Sequence, residues 1–283
     1  MIIDSHVHYG ANSPWGDFSP EFLLDIMGDE VDFAICSNLE GIEGLSFKKE
    51  YDCNMGMLEV TRKYPKLKAL AVCQPNLTEN ENVIRSLLEK YPEFIGLKIH
   101  PECMKLPADS EKYDKYLRLA QEFNKPCLYH SGHIKSRFSS PELIYKKAQE
   151  FPDVPIILGH LSTGPRSSHE RAVEILIESI ENENATLYAD VSWIDSSFTQ
   201  VSETIDDTLY LIDRLKNTKR GDFTSRIMWA SDAPVGAITQ DKSLYLKNLD
   251  VFKKRVLEYF NDEKLLENLL ANNTKKLYKL TLK

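Results

Sequence analysis

No stretch of this chain is apolar for long enough to cross a membrane. Its 283 residues hold no window near the roughly 18 uninterrupted apolar positions that a spanning helix needs. Cysteine is sparse and unpaired: Cys36, Cys53, Cys73, Cys103 and Cys127 are an odd number, scattered without CxxC or zinc-finger spacing. That pattern excludes a disulfide framework and a thiolate zinc site, and it reads as free thiols, mostly buried, in a reducing cytoplasm. Residues 1–6 show no basic segment leading into an apolar one, so no secretory leader is expected. Positive charge is short as well. Lys and Arg number 35 against 43 Asp and Glu, a formal charge of −8, which argues against a protein that neutralises nucleic-acid phosphates. There is no GxGxxG or Walker sequence, no low-complexity tract and no linker rich in Gly, Ser or Pro, so residues 1–283 are expected to form one domain.

What is present is a rhythm. Short β-rich apolar runs recur at 2–8, 32–37, 67–73, 94–100, 126–130, 155–160, 186–191 and 226–232. Runs of this kind, bounded by turn residues, are strands buried on both faces. Between and after them lie amphipathic segments that predict helices at 79–91, 114–123, 141–151, 170–180, 204–216, 244–260 and 262–280. Ser140-Pro141 reads as an N-cap followed by proline at the first helical position. Eight strands alternating with helices at about 30-residue spacing predict βα units and a parallel sheet. The reading adopted is a TIM-like (β/α)8 barrel, a fold of roughly 250 residues.

Strands buried on both faces should be apolar, so the polar residues at their C-terminal ends carry the information. Strand one ends His6-Val7-His8, strand four Lys98-Ile99-His100, strand five in His130, strand six in His160 and strand eight in Asp232. Six of the seven histidines lie at or just beyond such ends, and His133 directly follows strand five. Only His169 falls elsewhere, at a predicted helix start, where a solvated histidine is expected. Residues two apart on a strand face the same side, so His6 and His8 both point inward, close enough to share a cation.

These segments together resemble the amidohydrolase superfamily, in its amidohydrolase-related branch, which also holds aromatic and aminomuconate-semialdehyde decarboxylases. The resemblance rests on Asp4-Ser5-His6-Val7-His8, Gly96-Leu97-Lys98-Ile99-His100-Pro101, Leu128-Tyr129-His130-Ser131-Gly132, Leu158-Gly159-His160-Leu161-Ser162 and Trp229-Ala230-Ser231-Asp232-Ala233-Pro234. It covers nearly the whole chain, with 267–274 similar to the branch's closing helix. It implies one divalent metal, zinc first and manganese as another choice, held by His6, His8, His130 and Asp232. His160 then stands beside the metal, as a base or as a holder of water, and Asp232 passes a proton to the leaving group. Lys98 is open between a carboxylated bridge to a second metal, with His160 on that metal, and a fixed cation for substrate or a carboxylate partner. His100 either contacts substrate or caps strand four.

The loops should select substrate. Arg166 is placed to meet a carboxylate, and His133, Lys105, Lys135 and Arg137 are further candidates, while Trp15 and Trp193 either stack on a planar substrate or pack the core. Two reactions share these residues: hydrolysis of a small amide, ester or lactone, and non-oxidative decarboxylation of a small unsaturated or aromatic acid. A complete HxH with Lys98 favours hydrolysis. A TatD-type nuclease would carry glutamate on strand four, where this chain has Lys98. The expected partner is a small molecule, with neither nucleic acid nor membrane, and the resemblance to the decarboxylases implies a homodimer as one assembly state.

Overall fold

The computed structural model describes residues 1–13, 16–42, 49–76, 82–192 and 205–281. Nine strands form one sheet: β1 (Ile3–Ser13), β2 (Gly16–Phe18), β3 (Phe33–Asn38), β4 (Leu67–Val72), β5 (Phe94–Ile99), β6 (Cys127–His130), β7 (Ile156–Gly159), β8 (Leu187–Asp190) and β9 (Ile227–Met228). Their order is β2-β1-β3-β4-β5-β6-β7-β8-β9. Every pairing is parallel except that of β2, a short antiparallel strand folded back on β1 that the apolar rhythm did not reveal. The result is a curled, mostly parallel α/β sheet with helices between the strands.

Period-two alternation splits the core into two layers. Ala34, Cys36, Ala69, Ala71, Leu97, Cys127, Tyr129, Ile156 and Leu158 face outward and pack under the helices. Ile35, Leu70, Leu128, Ile157 and Met228 face the other way and meet Ala271, Leu277 and Tyr278 from the C-terminal helices. Those C-terminal side chains close the inner apolar layer from below. Two residues further along the same inward rows stand His130 after Leu128, Gly159 after Ile157 and Asp190 after Tyr188. The inner face is therefore apolar at its N-terminal end and polar at its C-terminal end, as the strand-end residues predicted.

β1 needs one irregularity to obey this rule. Ile3 and His6 are three apart and would face opposite sides of a regular strand. The register between β1 and β3 shifts between Asp4 and Val7, which turns His6 and then His8 to the inner side.

Two stretches depart from the sequence expectation. Of 226–232 only Ile227–Met228 pairs as a strand, because later donors bond elsewhere: Trp229 N–H reaches Leu269 O at 2.9 Å and Ser231 N–H reaches Asp4 Oδ1 at 3.0 Å. No ladder joins β9 to β1. Segment 229–233 instead lies along β1 through Asp232 N–H to His6 O (2.9 Å), His8 N–H to Ala233 O (2.7 Å) and an isolated bridge between Val7 and Ala233. The single helix expected over 262–280 is three pieces, Glu263–Glu267, a π turn Asn268–Asn272 and Asn273–Tyr278. The wider turn releases the Leu269 carbonyl that Trp229 uses.

Other helices fall near their expected places: Asn82–Lys90, Asp114–Glu122, Pro141–Glu150, Asp206–Lys216 and Ser243–Phe260. Ser140 Oγ accepts from Leu143 N–H, the N-cap that Ser140-Pro141 signalled. Three helices, Pro20–Met27, Glu50–Lys63 and the single turn Pro101–Met104, were not assigned from the sequence. Among the described residues no helix is long and apolar enough to cross a membrane. None of the five cysteines is joined in a disulfide, and only Cys103 is partly exposed.

Candidate active site

β1, the ends of β5, β6 and β7, and the segment after β9 converge on a cavity of about 320 Å³ lined by His8, Lys98, His100, His130, His160 and Asp232, with Thr163, Gly164, Leu39 and Val235 at its sides. His6 lies beneath it, fully buried. The close approach of His6 to β7 depends on Gly159, where an added Cβ would stand 2.9 Å from Tyr129 O and 3.3 Å from His6 Cε1.

Asp190 organises the floor. Its Oδ2 accepts from His6 Nδ1 at 3.0 Å, and its Oδ1 accepts from His160 N–H at 2.9 Å and from the Ser192 hydroxyl. Because Ser192 Oγ donates to Asp190, it accepts from His160 Nδ1, 2.8 Å away. The Nε2 lone pair of His160 then receives His130 Nδ1–H at 3.2 Å. His130 stacks on His100, with centroids 4.0 Å apart and planes 8° from parallel. One carboxylate thus fixes the His6 tautomer directly, that of His160 through Ser192 and that of His130 through His160.

With His6 Nδ1–H committed to Asp190, its Nε2 carries the lone pair. Lys98 Nζ donates to that atom at 2.7 Å, and Asp232 Oδ1 lies 3.4 Å from it. The same Asp232 oxygen is 3.0 Å from His8 Nε2, while His8 Nδ1 meets Ser37 Oγ at 2.8 Å. His6, His8 and Asp232 therefore bring two imidazole nitrogens and a carboxylate oxygen within 4.8 Å of one another. Two neutral imidazoles and a carboxylate are a donor set suited to a divalent ion such as zinc, so the residues present fit a metal. A second group of donors at the same spacing, His6, His160 and Asp190, is already knit together by the hydrogen bonds above. His130 belongs to neither group among the described residues.

Burial sets the protonation states. It drives His6, His100 and His160 well below the ordinary imidazole range, lowers His8, and takes His130 down to about 3, with the Lys98 ammonium adding to the effect. The imidazoles are neutral at pH 7, the form in which they ligate. Burial also lowers Lys98 to about 8, against the opposing pull of Asp232 and Asp190. Lys98 is a cation at pH 7 and nearer to losing its proton than an exposed lysine.

The backbone is strained where the site needs it. His160, Leu161 and Ser162 have φ of 65°, 45° and 72°, and Asp232 has 59°. Each left-handed residue costs roughly 1–2 kcal/mol. The run is held by Ser162 Oγ donating to Gly132 O at 2.6 Å and by His169 Nδ1 on Leu161 O at 3.2 Å. The expectation of a solvated His169 is therefore corrected. It lies one turn inside helix Arg166–Glu181, on the stripe with Ala172, Val173 and Leu176, and it is buried. Asp4, also buried, is raised to about 7 by desolvation despite accepting from Ser231, Tyr245 and the His6 amide. It ties the strand carrying His6 to the loop carrying Asp232.

Several expected contacts fall elsewhere. Arg166 does not line the cavity. It pairs with Asp207 at 2.9 Å and Glu170 at 3.2 Å and lies 4.1 Å over the Tyr210 ring, on the surface. The short loop 161–165 leads directly into a helix, and the first residue of that helix points outward. His133 lines an adjoining groove rather than the cavity, its Nδ1 accepting from Lys135 N–H. Trp15 and Trp193 lie outside the described residues. Asp190 and Ser192 were missed, although the rule that a polar residue ending an apolar run carries function applies to 186–191 as well.

A family model described as amidohydrolase matches residues 3–280. No curated protein matches the sequence. Among solved structures, a probable 2-pyrone-4,6-dicarboxylic acid hydrolase from Acinetobacter baumannii with citric acid bound superposes with a TM-score of 0.70 at 17% identity, over 99% of each chain. An amidohydrolase from Burkholderia multivorans with bound zinc gives 0.68 at 13%, again over 99% of each chain. A 5-carboxyvanillate decarboxylase from Novosphingobium aromaticivorans, complexed with manganese and 4-hydroxy-3-methoxy-5-nitrobenzoic acid, gives 0.65 at 12%, over 99% of this chain and 96% of that one. At such identities the likeness is one of fold.

Proposed function

The chain belongs to the amidohydrolase family, and from that premise we propose that it is a metal-dependent hydrolase of a small carboxylate-bearing amide, ester or lactone. The observation that carries the reading is the meeting of His6, His8 and Asp232 beneath a cavity. We read the curled sheet as a (β/α)8 barrel completed by segment 229–233, with the cavity at the C-terminal strand ends where such barrels place their chemistry. His6, His8 and Asp232 would hold one divalent ion, zinc first, and His130 is the fourth candidate. When bound, such an ion supplies Lewis acidity towards a carbonyl and makes water acidic enough to ionise near neutral pH.

The remaining chemistry falls to the chain's own residues. The Asp232 carboxylate would accept a proton from water and return it to the leaving group. His160, fixed by Ser192 and Asp190, would serve as a second proton acceptor when its Nε2 lone pair exchanges the His130 Nδ1–H for a proton of water or substrate. Lys98, buried and cationic, is the natural partner for a substrate carboxylate. The neutral His100, stacked on His130, forms a flat wall against which a planar ring fits. We read Lys98 as an ammonium rather than a carboxylated bridge, and favour one ion over two.

Decarboxylation is the second reading, supported by the same Lys98 ammonium, which would seat a carboxylate beside the donor cluster. Metal analysis of protein purified without chelator, beside His6→Ala, tests the first claim. About one zinc or manganese per chain, lost in the variant, is expected. A folded protein that takes up no zinc on incubation would overturn it. Product analysis on lactones and aromatic acids separates the reactions, because only decarboxylation releases carbon dioxide.

A further inference from the structure

Outside the cavity lies a second hollow of about 600 Å³, a groove that shares His130 and Thr163 with the inner site and so adjoins it. Its walls carry Lys105, Lys135 and Arg137. None of these three has a carboxylate partner among the described residues. The contrast within the molecule is clear, since Arg62, Arg85, Arg166, Arg171 and Arg255 all sit on carboxylates. In a chain of net charge −8, three uncompensated cations around one groove are a local reversal of sign.

The groove is built rather than incidental. Glu102, the acid at its edge, accepts from the Ser136 and Ser139 hydroxyls at 2.6 and 2.7 Å, so its carboxylate is engaged in holding the loop. Gly132 N–H reaches Ser139 O at 2.7 Å, and Ile134 N–H reaches Ser168 Oγ at 3.2 Å. Arg137 and Lys105 lie over one ring, that of Phe138, at 4.7 and 5.7 Å from its centroid. The cations are thus presented from a braced loop, two of them steered by one aromatic face.

We propose that this groove is a second subsite that binds the distal anionic group, a carboxylate or phosphate, of an elongated substrate whose reacting end enters the inner cavity. The assignment rests on the hydrolase reading for the identity of the inner site, but it is specific to the outer one. Lys98 meets charge near the reacting bond, and Lys105, Lys135 and Arg137 meet it at the far end. The same local field draws an anion towards the mouth of an otherwise acidic protein.

Calorimetric titration with three probes tests this: adipate, hexanoate of equal length with one charge fewer, and 5-phosphonopentanoate. Adipate is expected to bind about tenfold more tightly than hexanoate, an advantage that shrinks as salt screens the groove. In K135A/R137A, both positions being exposed, the advantage disappears while hexanoate binding is unchanged, and K135R/R137K restores it. The ranking of adipate against the phosphonate tells which terminal group the groove prefers. Equal affinities of adipate and hexanoate for the native protein, or an advantage that survives in K135A/R137A, would overturn the proposal. The comparison needs neither turnover nor metal, so a failed metal analysis leaves it standing, and a failed titration leaves the metal analysis standing.

Discussion

Asp190 holds two histidines with one carboxylate, His6 through its ring and His160 through its backbone and Ser192. Its position, two residues inward-facing beyond Tyr188, follows from the same alternation that places His130 and Lys98. In Asp190→Asn the side chain must offer an amide N–H to one of several groups that already donate. We expect the His6 tautomer to be freed and metal affinity to fall by about 10–100-fold, with the fold intact. Competition against a chromophoric chelator measures this, and an affinity within twofold of native would show that His6 is oriented by something else. At this scale the sequence was legible where residues repeat at period two. It was misleading at Arg166 and His169, because a loop length does not say which way the first turn of a helix points.

The elements set spacing that no single residue controls. The register shift in β1 turns His6 inward, and Gly159 in β7 leaves the room it needs. Gly159→Ala would drive a methyl group into the Tyr129 carbonyl and the His6 ring. The β-sheet cannot part easily to receive it, so a stability loss of roughly 1–3 kcal/mol and displacement of His6 are expected together. Thermal unfolding and metal content of the variant check both. Unchanged metal binding with lowered stability would confine the role of Gly159 to packing. The left-handed run His160–Ser162 and the π turn at Asn268–Asn272 belong to the same scale. Both trade local geometry for a long-range hydrogen bond, which is why neither was visible in a pattern of apolar residues.

The whole molecule answers to pH through its buried imidazoles. In the metal-free protein His6, His100, His130 and His160 are held neutral, whereas in the unfolded chain they protonate below about 6.5. Below that pH the unfolded chain binds more protons, so stability falls with falling pH, by about 1.4 kcal/mol per pH unit for each such imidazole. Asp4 opposes them. Its carboxyl is raised to about 7, so the folded state binds its proton more tightly between pH 4 and 7, but one group is set against four. Thermal melts of chelated protein from pH 8 to 5 should show the melting temperature dropping steeply below pH 6.5. A flat profile would mean that water reaches these rings.

The sequence by itself determined the family, the parallel α/β sheet and the inward strand positions at or beside which His6, His8, Lys98, His130 and His160 stand, whereas Asp232, expected to end a strand, lies four residues beyond β9. Those are local properties: burial of a strand on both faces demands apolar residues, so each polar exception announces itself, and period two fixes its side. Only the tertiary structure decided which of those exceptions meet. The pairing of His6 with Asp190, the 2.7 Å contact between Lys98 and His6, the outward turn of Arg166 and the braced cationic groove all join segments far apart in the chain. Such contacts depend on register, strand curvature and loop path together, and no local pattern of residues encodes their sum.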